Sequence, residues 1–215
     1  MEPQFWHERW KLNEIGFHQP QVHSLLTQHW QGLGITKSQV FVPLCGKSLD
    51  MLWLRQQGHS VLGVELSPVA VRDFFTGQSL AFTTRPLQGF QLYESTGIQL
   101  LCGDFFDLKP EHLAQVQAVY DRAALIALPQ ALQARYAQRL LELLPHRPPM
   151  LLITFEYDST EMDGPPFSTS EQTVKDLFGQ AYRVEILSAT EILDENPGLK
   201  NRGLTRLTEK SYRLY

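Results

Sequence analysis

Cysteine is scarce in this sequence: Cys45 and Cys102 are the only two among 215 residues. Neither belongs to a C-x-x-C pair, which excludes a zinc ribbon and a thioredoxin-type redox motif. Two reduced, buried thiols are expected instead. Metal ligation has no other signature, since none of the seven histidines stands in an H-E-x-x-H arrangement. Long hydrophobic runs are missing too. Stretches such as Met150 to Phe155 fall far short of the roughly 18 residues that span a bilayer, so no membrane partner is expected. The opening MEPQFWHERW carries acids and aromatics and no apolar h-region. A secretory leader is therefore not expected, and a cytoplasmic location is. Positive charge is not in excess: 19 Lys and Arg against 23 Asp and Glu give a net charge of −4. That balance offers no general footprint for nucleic acid.

The glycines that cradle phosphates are missing as well. The turn PLCGKSLD resembles a phosphate loop only superficially, because G-x-x-x-x-G-K-[ST] would need glycine where Phe41 stands. Gly46 is the only glycine in that turn, so the dinucleotide fingerprint G-x-G-x-x-G fails too. Both absences argue against ATP and NAD and permit a nucleoside ligand without phosphates.

What is present alternates between apolar strand-like runs and amphipathic helices, the pattern of an α/β fold. Val40–Leu44 reads as a first buried strand, followed by Gly46-Lys47-Ser48 and a helix from Leu49 to Gln57. Ser60–Glu65 is a second strand. Ser67-Pro68 then supplies an N-cap and a first-turn proline for a helix with Val71, Phe74 and Phe75 on one face. Further strands are read at Phe90–Tyr93, Ile98–Cys102, Ala118–Asp121, Met150–Tyr157, Tyr182–Leu187 and Leu204–Leu214. Pro129 opens a long helix with Leu132, Tyr136, Leu140 and Leu144 at four-residue spacing. Ser168 and Glu171 read as a capping box ahead of Val174, Leu177 and Phe178. One domain over residues 1–215 is expected. Within it, residues 1–35 stand apart as a lid segment carrying Trp6, Trp10 and Trp30.

In an open parallel sheet the ligand binds beyond the carboxyl ends of the strands. Glu65 ends the second strand about 20 residues after Gly46, where mononucleotide-binding halves place an acid on the ribose hydroxyls. Its two acceptor oxygens suit a diol. Asp104 follows the strand ending at Cys102, and either receives a donor from an adenine ring or caps a turn. Asp121-Arg122 sits in an apolar stretch and must be paired. Either it forms a structural ion pair, or Arg122 faces a ligand carboxylate that its fork matches in two bonds.

The ordered segments F-W-x-x-R-W (Phe5–Trp10), G-F-H (Gly16–His18), V-P-L-C-G-K-S (Val42–Ser48), G-V-E-L-S (Gly63–Ser67), Y-D-R-A-A-L-I-A (Tyr120–Ala127) and G-P-P-F (Gly164–Phe167) resemble the thiopurine S-methyltransferase family, its bacterial branch most closely. The resemblance implies a Rossmann-like, seven-stranded methyltransferase sheet, mostly parallel with an antiparallel C-terminal strand and helices on both faces. It implies S-adenosyl-L-methionine as cofactor, contacted by Trp10, Leu44, Glu65 and Arg122, with Asp104 and Phe105 flanking the adenine. Phe17 would line the acceptor pocket, and Pro166 and Phe167 belong to a turn expected to form its stiff wall. Around Asn196 to Arg202 the pattern loosens, and no residue is carried over. The expected activity is S-methylation of thiopurines or similar aromatic and heterocyclic thiols by a monomer. The bacterial branch also raises detoxification of tellurium or selenium oxyanions. The sulfonium of such a cofactor would sit well beside the Trp10 face. No catalytic base is assigned, because an acidic thiol is already largely ionised. A nicotinamide-dependent oxidoreductase and a non-catalytic nucleoside-binding module stay open beside this reading.

Overall fold

The structure is a computed structural model, which describes residues 3–215. It forms two compact units, a first one ending at Tyr120 and a second over Asp121–Tyr215.

The first unit starts with two short helices, α1 (Pro3–Lys11) and α2 (Ser24–His29), and a 3-10 turn over Trp30–Leu33. Its strands are β1 (Gln39–Val42), β2 (Ser60–Glu65), β3 (Thr83–Leu87), β4 (Phe90–Ser95), β5 (Ile98–Cys102) and β6 (Val116–Arg122), whose last two residues open the second unit. They lie in the order β3-β4-β5-β2-β1-β6. β1 pairs in parallel with both β2 and β6, and β2 in parallel with β5. The buried VLGVE of β2 is the continuous apolar run that a strand covered on both faces requires. Helix α3 (Asp50–Gln56) follows β1, and α4 (Pro68–Gly77) follows β2. Ser67 caps α4 by accepting from the Ala70 amide, with Pro68 in the first turn, as its sequence predicts. Val71, Phe74 and Phe75 are fully shielded, each contributing about 1.5–3 kcal/mol of hydrophobic stabilisation.

The second unit holds α5 (Gln130–Leu143), β7 (Met150–Glu156), α6 (Glu171–Phe178), β8 (Val184–Glu191), α7 (Pro197–Asn201) and β9 (Thr208–Leu214). β9 runs antiparallel to β7, as expected for the C-terminal strand, and antiparallel to β8 on its other side. Tyr157, Met162, Leu193, Leu204 and Leu207 pack as a small core of their own beneath the connecting loops.

The α/β class and the mixed, centrally parallel pairing match expectation, while the strand count does not. Nine strands form among the described residues, against the seven expected. The excess includes β3, whose TTRPL is exposed over four of five positions and contains Pro86. A run without burial and with proline carries no strand signal, yet β3 pairs only with β4, and an edge strand tolerates proline. The cap of α6 also differs. Ser170, not Ser168, accepts from the Thr173 amide. The Ser168 hydroxyl is taken instead by Tyr157, accepting from its amide at 3.0 Å and donating to its carbonyl at 2.7 Å. The Glu171 carboxylate turns to Lys175 at 2.5 Å. Trp30 is a core residue: it is 2% exposed, its indole N–H donates to His59 Nε2 at 2.9 Å, and its ring packs edge-on to Tyr120.

Candidate functional site

In the first unit, the turn after β1 folds back onto β2. The Cys45 amide donates to the Val64 carbonyl at 3.0 Å. A side chain at Gly63 would come within 2.7 Å of Cys45 Sγ, so this close approach requires glycine. Leu44 and Gly46 both adopt positive φ, 44° and 51°. The left-handed turn aims the Gly46 N–H at Glu65 Oε2, 2.9 Å away, while the Ser67 N–H donates to Oε1 at 2.7 Å. Glu65 thus has one backbone amide on each oxygen and keeps 6% exposure. Burial pushes its carboxyl up to about 7, although the Ser67, Gly46 and Leu66 amides pull in the other direction.

The N-terminal helix packs onto the same turn. A Cβ at Gly46 would lie 3.1 Å from the Trp10 indole, so this glycine serves both the turn and the ring. Trp10 is 5% exposed. Lys47 Nζ stands 5.8 Å from the centre of its ring and is paired with Asp73 at 3.3 Å. Phe17, 39% exposed, sets its ring edge-to-face against both Trp10 and Trp6, with centroids 5.5 and 5.7 Å apart. Trp10, Phe17, Leu44 and Glu65 therefore belong to one neighbourhood built on the β1 and β2 ends. Trp6 joins it through Phe17, a contact that no spacing in the sequence announces.

Asp104 and Phe105 follow β5, the parallel neighbour of β2. Cys102 pairs with Glu65, and the Gly103 amide donates to the Glu65 carbonyl at 2.9 Å. Of the two roles left open for Asp104, the structure displays the turn cap: Oδ1 accepts from the Phe106 amide at 2.9 Å. Phe105 is buried and stacks on Phe41 at 6.5 Å.

In the second unit, Asp121 is wholly buried. It accepts from the Tyr136 hydroxyl at 2.6 Å and from the Leu125 amide at 3.2 Å. Burial raises its carboxyl to about 6 and pushes the Tyr136 phenol well up. Arg122 beside it is half-buried, and Ala123 turns the chain at φ 65°. The Phe167 amide donates to the Ile126 carbonyl at 2.7 Å, tying the G-P-P-F turn to the loop after β6. Both bonds into Pro165 and Pro166 are cis. Tyr157 donates to the Pro166 carbonyl at 2.6 Å, and Arg202 Nη1 to the Pro165 carbonyl at 2.7 Å. Tyr136, Tyr157 and Arg202 have no motif in the sequence. The available signal is indirect: a double proline has no amides of its own to offer, so its carbonyls call for outside donors. Among the described residues, no cluster of three or more His, Cys, Asp or Glu could hold a metal ion. No helix among them is long and apolar enough to cross a membrane.

Comparison with known proteins gives this geometry its context. The family model described as Thiopurine S-methyltransferase (TPMT) matches residues 1–215. A thiopurine S-methyltransferase of Methylococcus capsulatus is 56% identical over 216 residues, covering 100% of this chain and 97% of that protein. One from Nitrosospira multiformis is 48% identical over 217 residues, covering 100% and 98%. Among solved structures, a SAM-dependent methyltransferase from Anabaena variabilis matches with a TM-score of 0.66 at 13% identity, over 99% of this chain and 93% of that one. The 1,6-didemethyltoxoflavin-N1-methyltransferase of Burkholderia thailandensis, solved with bound 1,6-didemethyltoxoflavin and S-adenosylhomocysteine, gives 0.62 at 15%, over 99% and 86%. At such identities the structures speak for the fold alone, which is that of S-adenosylmethionine-dependent methyltransferases. The kinship in sequence goes further and sets aside the nicotinamide-dependent oxidoreductase: this chain belongs to the thiopurine S-methyltransferase family.

Proposed function

We propose that this protein is an S-adenosyl-L-methionine-dependent S-methyltransferase acting on small aromatic or heterocyclic thiols of the thiopurine class. The observation that carries the reading is the Glu65 carboxylate at the end of β2, fixed by the Gly46 and Ser67 amides beneath Trp10. The donor set suits this cofactor. Two hydrogen bonds against roughly four acceptor positions leave the carboxylate capacity for a ribose diol. The single-glycine turn has no phosphate to receive. Trp10 already carries one cation near its ring, Lys47, and an electron-rich face of that kind also suits a sulfonium.

The bound cofactor supplies a methyl group on a positively charged sulfur, which a thiolate takes in line to leave a neutral thioether. The chain's part is placement. Glu65 would hold the ribose, Trp10 and Leu44 the sulfonium end, Asp104 and Phe105 the adenine, and Arg122 the carboxylate through its two-pronged fork. Phe17, Pro166 and Phe167 would contact the acceptor. Holding the acceptor sulfur in line with the sulfur–methyl bond, at contact distance from the methyl carbon, and excluding water would provide the acceleration, with no side chain removing a proton. The protein is proposed to work as a monomer in the cytoplasm on a small molecule, without nucleic acid. Its two free cysteines fit a reducing compartment.

Calorimetric titration with S-adenosylhomocysteine, with NAD as control, tests the cofactor. Stoichiometric binding of the first and none of the second is expected. Methyl transfer to 6-mercaptopurine, followed by mass, then tests the acceptor class and separates an enzyme from a binding module. A protein that binds S-adenosylhomocysteine and methylates no thiol would overturn the acceptor assignment.

A further inference from the structure

The G-P-P-F turn has an unusual hydrogen-bond economy. Pro165 and Pro166 have no N–H, so the turn cannot close a backbone ladder of its own. Four of its polar groups are held from elsewhere in the second unit. The Phe167 amide donates to Ile126, and the Pro166 carbonyl accepts from the Tyr157 hydroxyl. Two more carbonyls converge on one side chain: Arg202 Nη1 donates to Pro165 at 2.7 Å and Nη2 approaches Gly164 at 3.5 Å. Arg202 is surface-exposed and comes just after α7, far along the chain from the turn.

Its position is itself fixed. Glu161 accepts from the Thr205 amide at 3.0 Å and the Thr205 hydroxyl at 2.6 Å, tying the segment after Arg202 to the loop before the turn. Leu204 is buried with Tyr157 and Met162. Gly203, at φ 106°, lets the chain reverse between Arg202 and this anchor. An exposed arginine forming only surface ion pairs would be free to swing. This one has its planar fork spread across two successive carbonyls, a geometry that a lysine cannot reproduce.

We propose that Arg202 is a positioning residue for the acceptor, holding the Pro166–Phe167 wall in shape without itself taking part in methyl transfer. The proposal rests on the function proposed above for that wall, and it places the control of acceptor affinity in the C-terminal segment, separate from the cofactor contacts.

The test compares wild type with Arg202→Met and Arg202→Lys. Two readouts are needed. Hydrogen exchange at the Phe167 amide, in protein without acceptor, reads the clamp directly, and R202M is expected to exchange about tenfold faster. Steady-state kinetics with 6-mercaptopurine should show KM raised about tenfold in R202M, the size of one lost charge-assisted hydrogen bond, with R202K between. Affinity for S-adenosylhomocysteine stays at the wild-type value. Unchanged exchange at Phe167 overturns the clamp. Faster exchange with an unchanged acceptor KM, or a parallel loss of cofactor affinity, overturns the acceptor role. Should R202M unfold, Tyr157→Phe, which releases the neighbouring carbonyl, must show the same split of KM against cofactor affinity. A wild-type protein that turns over no thiopurine would sink the proposed function instead, while the exchange measurement still decides the clamp.

Discussion

Glu65 and Asp121 sit at the carboxyl ends of the apolar strands β2 and β6, and both are buried acids whose carboxyls are pushed up, to about 7 and about 6. Both accept from backbone amides of the turn that follows their strand. They differ in access. Glu65 is held by backbone groups alone and keeps a small exposed surface, whereas Asp121 has none and takes the Tyr136 hydroxyl as well. A buried acid at a strand end is therefore not in itself a ligand site. Asp121 is closed off between the turn that carries Arg122 and the Tyr136 hydroxyl, and Glu65 keeps an exposed edge.

The sharpest way to break this distinction is to remove each acid. Asp121→Ala leaves the Tyr136 hydroxyl and the Leu125 amide without their acceptor in a dry site, and the expected cost is about 3 kcal/mol of folding stability. For a chain of this size that lowers Tm by about 6–12 °C. Thermal denaturation that leaves Tm in place would mean Asp121 is not the structural member of the pair. Glu65→Ala should instead act on the ligand, weakening S-adenosylhomocysteine binding by about 1–3 kcal/mol in calorimetry. Wild-type affinity in that variant would remove the ribose assignment.

Proton linkage separates folding from binding at the same carboxylate. Both acids have folded-state values raised above their ordinary ones, so between about pH 4 and pH 7 the folded state holds more protons than the unfolded state. Their joint contribution makes the free protein lose stability as pH rises through that window and level off above about 7. Cofactor affinity should run the opposite way, because the ionised Glu65 is the better acceptor for ribose hydroxyls. S-adenosylhomocysteine is expected to bind up to about tenfold more weakly at pH 6 than at pH 8. Calorimetry at both values checks this in wild type and in Glu65→Gln, where the dependence should vanish; a flat wild-type profile would contradict it.

Much of this frame is legible in the sequence. Continuous apolar runs place β2 and β7, and Ser67-Pro68 marks the start of α4, because burial and capping are local chemical choices. Glu65 could be singled out because a strand end has a fixed offset from the turn before it. What escaped was non-local or weakly patterned. β3 is an exposed edge with a proline, so neither alternation nor burial marks it. Two serines, Ser168 and Ser170, compete for the start of α6, and only the contact with Tyr157 settles which one caps. Trp30 looks like Trp10 in composition, but its indole is committed to His59 in the core. Arg202 stands 37 residues after the carbonyl it holds, a separation across which sequence patterns carry no information.

The turns after β1 and β6 extend the comparison to the backbone, since each contains a left-handed residue, Gly46 at φ 51° and Ala123 at φ 65°. Gly46→Ala adds a Cβ in a region that costs an L-residue about 1–2 kcal/mol, against an indole 3.1 Å away that must give way. Stability and S-adenosylhomocysteine affinity should fall together, because the displaced amide is one of the two donors to Glu65. At Ala123 the strain is already present. Ala123→Gly relieves it but gives the unfolded chain more freedom, worth about 0.4–1 kcal/mol in the opposite sense. The net expectation is a gain of no more than about 1 kcal/mol, or a rise in Tm of at most about 2–4 °C. Thermal denaturation of the two variants side by side should give opposite signs. If Ala123→Gly instead lowers Tm, the left-handed alanine is held by contacts of its methyl group, and the turn bearing Arg122 owes its shape to more than the Asp121 acceptor.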